Sequence, residues 1–168
     1  MHALVVYESM FGNTERVAKA IAAGLGPKSE VDVVNVDDAP RDLSGIDLLV
    51  VGGPTHIHGM SRPATRKGAA DQAGGDTRSR VTGMREWIGS LGAVPTGTRA
   101  AVFDTRLKKP RWITGSAAGG ARKLLRRGHF VMSGGPESFF VTGGTPAELL
   151  PGESARAEEW GRTLASVG

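Results

Sequence analysis

One stretch, Leu4 to Leu25, limits most strongly what this chain can fold into. Leu4-Val5-Val6-Tyr7 is apolar and β-branched, with the length of a buried strand. Val17, Ala18, Ile21, Ala22 and Leu25 then recur at three- and four-residue spacing, one face of a helix. Between them stands a polar turn, Ser9-Met10-Phe11-Gly12-Asn13-Thr14. Such a turn aims the free N–H groups of the first helical turn, and the positive end of the helix dipole, at one point. That is the chemistry of an anion cradle, with short hydroxyls as further donors. The turn has neither the Lys of a Walker A loop nor the three-Gly dinucleotide fingerprint. No Gly-x-Ser-x-Gly elbow surrounds Ser9 to make it a nucleophile.

Beyond Gly26-Pro27, which stop the helix, Val31 to Val36 form a second strand running to Asp37-Asp38. Ile46 to Val51 form a third, which exits through Gly52-Gly53-Pro54-Thr55-His56-Ile57-His58-Gly59. Arg62-Pro63 opens a short helix through Ala70, and a Gly-rich flexible insert follows around 68–84. Gly83 to Leu91 reads as a helix turning Trp87 and Ile88 inward. Arg99 to Phe103 is a fourth strand, and Ala117 to Arg127 is a basic helix. Phe130 to Met132 is a fifth strand that resumes at Phe139-Phe140-Val141 after Gly134-Gly135-Pro136. Ser154 caps a last helix, with Ala157, Trp160, Leu164 and Ala165 as its inward stripe. Strand–helix alternation of this kind argues for an α/β fold, a parallel sheet with helices on both faces. Ligands of such sheets lie beyond the carboxyl ends of the strands. Three loops with unusual chemistry leave those ends, at 9–14, 52–60 and 104–112.

At 168 residues the expectation is a single domain over 1–168. The chain has no Cys, which excludes disulfides, thiolate catalysis and cysteine-ligated zinc or iron–sulfur centres. No signal peptide and no apolar run of membrane-spanning length is visible, so a soluble cytoplasmic protein is expected. Between Arg106 and Arg127 there are eight Lys or Arg and no Asp or Glu. One reading is a solvated helix face; the other is steering toward an acidic partner or an anionic substrate. The run lacks interleaved aromatics and a recognition motif, so no nucleic-acid partner is expected.

The first loop, a hydroxyl, two residues, Gly, any residue and Thr, resembles the phosphate loop of flavodoxins, here Ser9, Met10, Phe11, Gly12, Asn13 and Thr14. The resemblance extends over nearly the whole chain and is to the short-chain type, because no long insertion splits the fifth strand. It implies a flavodoxin-like three-layer sandwich, a five-stranded parallel sheet in the order 2-1-3-4-5, with FMN held non-covalently.

In the second loop the resemblance assigns Pro54, Thr55, His56, Ile57 and His58 to the flavin. His56 stands where the family places an aromatic ring against the inner flavin face, and Ile57 where it places Gly. His56 and His58 also read as two polar loop residues in water; neither a Cys nor a carboxylate accompanies them to make a metal site. A β-branched residue resists the positive φ that Gly allows, so Ile57 predicts weaker stabilisation of the one-electron-reduced flavin. In the third loop the resemblance assigns Asp104 to the pyrimidine end, with Thr105 and Arg106 beside it. The family's Tyr over the outer face has no counterpart, since Tyr7 is the only Tyr. Trp112 is the aromatic available there, either as that cover or as a packing residue. Arg106, Lys108, Lys109 and Arg111 replace the acidic surroundings usual in the family, which predicts a higher second-step reduction potential.

The resemblance therefore implies an FMN-binding electron-transfer flavoprotein without catalytic residues of its own. An NAD(P)H-dependent reductase would be its donor, with an unidentified acceptor and no membrane; the basic run, not the resemblance, adds the expectation of an acidic docking surface on those partners. Two alternatives stay open. One is an FMN-dependent reductase or oxidase of a small molecule, of quinone or porphyrin type. The other is a flavodoxin-like interaction module that has lost FMN.

Overall fold

Four strands and a divided fifth build the sheet in a computed structural model of the chain, which describes residues 1–26, 29–55, 59–63 and 81–166. They are β1 (His2–Tyr7), β2 (Glu30–Asn35), β3 (Leu48–Pro54), β4 (Arg99–Leu107), β5 (Val131–Met132) and β6 (Glu137–Val141). The order is β2-β1-β3-β4, with β5 and β6 both pairing with β4 at the fifth position. All pairs are parallel. The expected sheet order is thus observed, with one elaboration. The fifth strand breaks between Met132 and Glu137, where Gly134 has φ +85° and Pro136 has no N–H to give to a ladder.

That break lengthens the neighbouring strand. β6 pairs Phe103 with Glu137 and continues to Leu107 with Val141, so β4 extends four residues past its expected end at Phe103. Asp104, Thr105 and Arg106 are strand residues, and the loop expected from 104 begins only after Leu107. The sequence pattern ends at Phe103 because polar side chains follow it. The ladder continues because a partner strand is there to take it up.

Apolar residues alternate between two cores, as a sheet covered on both faces requires. Leu4, Val6, Leu49, Val51, Ala100 and Val102 face helix α2 (Met84–Gly89) and helix α4 (Ala117–Arg127), against Trp87, Ala121 and Leu125. Ala3, Val5, Leu48, Val50, Ala101 and Phe103 face helix α1 (Asn13–Leu25) and helix α5 (Glu153–Ser166), against Val17, Ile21, Ala157 and Leu164. Phe103, Phe139 and Trp160 form a cluster of edge-to-face rings, 6.1–6.3 Å between centroids. α1 and α5 touch backbone to backbone: a Cβ at Gly24 would lie 1.9 Å from the Glu158 carbonyl oxygen, and one at Gly161 2.2 Å from that of Ile21.

Ser154 is not the cap of the last helix. α5 already begins at Glu153, whose carboxylate accepts from the Phe140 N–H of β6 and pairs with Arg156. Arg156 also pairs with Glu137, donates to the Ser138 carbonyl and stacks on Phe139 at 4.5 Å. With the Val141–Leu149 bridge, these contacts cover the outer edge of β6, which is otherwise open to another strand. Among the described residues no helix is long and apolar enough to cross a membrane. The short helix expected from Arg62 to Ala70 falls outside the described residues beyond 63, as does the 68–84 insert up to 80. The remaining short helix, α3, spans Arg111–Thr114.

Candidate functional site

Residues at the carboxyl ends of β1, β3, β4 and β6 enclose a pocket of about 230 Å³. Its first wall is the 9–14 turn. Gly12 has φ +90° and directly precedes α1, a conformation that strains any side chain with a Cβ. Ser9 is fully buried and its hydroxyl accepts the Gly12 N–H at 3.0 Å. Thr14, also buried, shares a hydrogen bond with Thr105 of β4, 2.8 Å between hydroxyl oxygens. No side chain caps the start of α1. Ser9 and Thr14 thus tie the turn to itself and to the sheet, and the N-cap residue Gly12 brings no side chain to the start of α1.

The other walls are Pro54 and Thr55 at the exit of β3, Thr105, Arg106 and Leu107 of β4, and residues 141–144 with Ala147. The 141–147 wall carries no sequence signal of binding chemistry. Asn13 holds it in place: its side-chain amide donates to the Ala147 carbonyl at 2.7 Å and accepts the Leu149 N–H at 3.1 Å.

Among the described residues no Asp or Glu lines the pocket, and the one charged lining residue is Arg106. Met10, Phe11, Pro54, Leu107 and Val141 supply apolar surface; Phe11 is 41 % exposed. Arg106 is nearly buried, with Nε donating to Ser138 Oγ at 3.0 Å and one terminal nitrogen to the Lys109 carbonyl at 2.6 Å and Thr114 Oγ1 at 3.2 Å. Burial lowers its pKa from the ordinary arginine value; Asp104 opposes this and Arg111 adds to it. The guanidinium stays protonated regardless.

Two expected flavin contacts do not line the pocket. Asp104 is completely buried. Its Oδ2 accepts Ser116 Oγ at 2.6 Å, the Ala118 N–H at 3.0 Å and Thr55 Oγ1 at 3.2 Å. Thr55 Oγ1 in turn accepts the Ala117 N–H at 3.0 Å. Strand alternation sends Asp104 to the α4 face and its neighbour Thr105 to the α1 face, so the carboxylate joins the β3 exit to the start of α4. Asp104 Oδ1 has no hydrogen-bond partner among the described residues; Arg106 Nε is 3.9 Å away. Trp112 is 84 % exposed on α3, neither over the pocket nor packed in a core. Sequence reasoning missed Ser116 and the α4 N-terminus as the partners of Asp104, because that contact spans two elements and depends on which face the strand presents.

His56, Ile57 and His58 lie outside the described residues. Among the described residues no cluster of three or more His, Asp or Glu could hold a metal ion.

The flavodoxin family model matches residues 5–85, which contain the 9–14 turn and the β3 exit. Over that span, just under half of the chain, the sequence is similar to the flavodoxin family. Solved flavodoxins carry the same fold through the rest of the chain. A flavodoxin from the domain Archaea is 20% identical, with a TM-score of 0.69 over 99% of this chain and 98% of its own. Oxidised Flavodoxin 1 from Bacillus cereus is 17% identical, with a TM-score of 0.70 over 99% and 98%. The Streptococcus pneumonia TIGR4 flavodoxin is 16% identical, with a TM-score of 0.70 over 100% of both chains.

Proposed function

We propose that this protein is an FMN-binding electron carrier. The observation that supports the reading is a pocket with no carboxylate among its described lining residues. An α1 N-terminus without a side-chain cap, the buried hydroxyls of Ser9, Thr14 and Thr105, and the Arg106 guanidinium meet apolar side chains in one cleft. A phosphate group fits the polar end, since it meets N–H groups, hydroxyls and, among the described residues, no carboxylate. An aromatic ring fits beside Met10, Phe11, Pro54 and Leu107. Bound there, FMN would supply reversible electron transfer, while the chain binds it, orients it and excludes water. An NAD(P)H-dependent reductase as donor, a separate acceptor and the cytoplasm as compartment complete the reading.

The test is titration of the full-length chain with FMN, followed by visible absorbance and flavin fluorescence. Saturable one-to-one binding is expected. Thr14→Val removes a wall-closing hydroxyl and should weaken it roughly tenfold, the effect of one lost hydrogen bond of about 1–1.5 kcal/mol. Absence of binding in the wild type would refute the reading and favour the flavin-free interaction module, which the positions of Asp104 and Trp112 off the pocket support. Sustained NAD(P)H–quinone turnover without an added reductase would instead make the protein a self-sufficient enzyme.

A further inference from the structure

We propose that the Trp112–Ile113 tip of α3, with its rim of Lys108, Lys109 and Arg111, is the docking surface for a small acidic electron-transfer protein. The purpose of the surface rests on the electron-carrier reading; its existence does not.

Trp112 is 84 % exposed and Ile113 41 %. A lone exposed apolar residue needs no explanation, but two adjacent ones, one a nearly naked indole, form a patch. The patch does not lie on a loose loop. Arg106 donates to Lys109 and Thr114 on either side of it. Arg111 donates to the Pro136 carbonyl at 3.0 Å, and Gly115 N–H closes the helical turn on the Arg111 carbonyl at 2.7 Å. The segment is held from below by a nearly buried guanidinium while its aromatic side chain points away from every core. A pre-ordered Trp in a ring of Lys and Arg has the composition of an interface anchor: little ordering entropy to lose, large area to bury, and charges at the rim that raise the association rate.

The sign of the partner follows from the rim. From 106 to 127 there is no Asp or Glu, and the nearest carboxylate in sequence, Asp104, is buried and held by three donors. A basic partner would meet repulsion from Lys108, Lys109 and Arg111. The second basic cluster, Arg122, Lys123, Arg126 and Arg127 on α4, carries no exposed large hydrophobic side chain, so it supplies long-range attraction without an anchor. Location fits the purpose as well. Leu107 lines the pocket, and five chain steps separate it from Trp112, at most roughly 18 Å when fully extended. A protein seated on the tip therefore lies within roughly 18 Å of a pocket-lining residue.

The test uses the full-length chain, with and without added FMN, and an acidic plant-type [2Fe–2S] ferredoxin as the probe, with binding measured by calorimetry at low and at near-physiological ionic strength. We expect saturable binding in both forms that weakens as salt rises. Trp112→Ala should weaken it at least tenfold, and Lys108→Gln with Lys109→Gln about tenfold at low salt. Lys123→Gln with Arg126→Gln should change it less than threefold. Carbodiimide should cross-link Lys108 or Lys109 to probe carboxylates. The proposal is overturned if the probe does not bind, or if the α3 and α4 charge pairs weaken it equally while Trp112→Ala has no effect. It is also overturned if Trp112→Ala costs FMN affinity and leaves ferredoxin affinity intact, which would put the indole over the flavin. Failure of FMN to bind the wild type sinks the electron-carrier reading alone, because the ferredoxin measurement is complete without flavin.

Discussion

Replacing Asp104 with Ala tests the least expected feature of the site. The carboxylate is 0 % exposed and its Oδ2 gathers three donors from two other elements: Thr55 after β3, and Ser116 and Ala118 at the start of α4. In the Ala variant the Ala118 N–H, on a fully buried residue, loses its acceptor, at a cost of about 1–3 kcal/mol. The two hydroxyls can rotate, so each loses closer to about 1 kcal/mol. α4 also loses a negative charge at its N-terminus, about 0.3–1 kcal/mol. The sum is about 3–6 kcal/mol, which overlaps the roughly 3–5 kcal/mol lost when one partner of a buried ionic contact is removed. For a chain of this size each kcal/mol lowers Tm by about 2–4 °C, so a drop of roughly 10 °C is expected by calorimetry, with a matching shift in the urea midpoint. Asp104→Asn keeps an acceptor for the Ala118 N–H, and the hydroxyls can reverse, so it should recover more than half of the loss. An Ala variant within about 1 kcal/mol of wild type would refute the reasoning. So would an Asn variant of unchanged stability that binds FMN more weakly, because the carboxylate would then face the flavin.

Further outcomes follow from other contacts. Gly161→Ala drives a methyl group into the Ile21 carbonyl at the α1–α5 crossing and should cost about 1–3 kcal/mol or more; near-wild-type urea unfolding would mean the helices do not touch there. Asn13→Ala removes both bonds to 147–149. It should cost about 1–3 kcal/mol and speed amide exchange at Leu149, and unchanged exchange would show that Asn13 does not hold the wall. The His2 pKa lies above its ordinary 6.5, chiefly through the hydrogen bond to Asp32. The folded state thus binds the His2 proton more tightly than the unfolded chain. The stability this lends is complete below pH 6.5 and fades as pH rises through the folded pKa. An NMR titration should place the His2 midpoint above 6.5 and return it toward that value in Asp32→Asn; an Asp32-independent midpoint would disprove the pairing.

Local pattern alone determined a great deal here. Apolar runs at 4–7 and 46–51, the 3.6-residue stripe at 17–25 and the Ser9–Thr14 turn sufficed for a parallel α/β sheet with an anion cradle at the first strand exit. The reason is that hydrophobic periodicity and turn chemistry act within a few residues of themselves. The break at Gly134-Gly135-Pro136 was equally visible. Its consequence was not: β6 resumes alongside β4 and extends it through Leu107, which turns an expected loop into a strand. Strand geometry then sends Asp104 and Thr105 to opposite faces, one into the α4 start and the other into the pocket. Asn13 finds its partners 134 and 136 residues away, a separation no local pattern encodes. Trp112 could be read from sequence as a flavin cover or a packing residue, and the tertiary structure leaves it 84 % exposed on a short helix that Arg106 ties down at Lys109 and Thr114. Which residues meet was written in the chain by short-range rules; which way they face was decided only when strands from distant parts of it came into register.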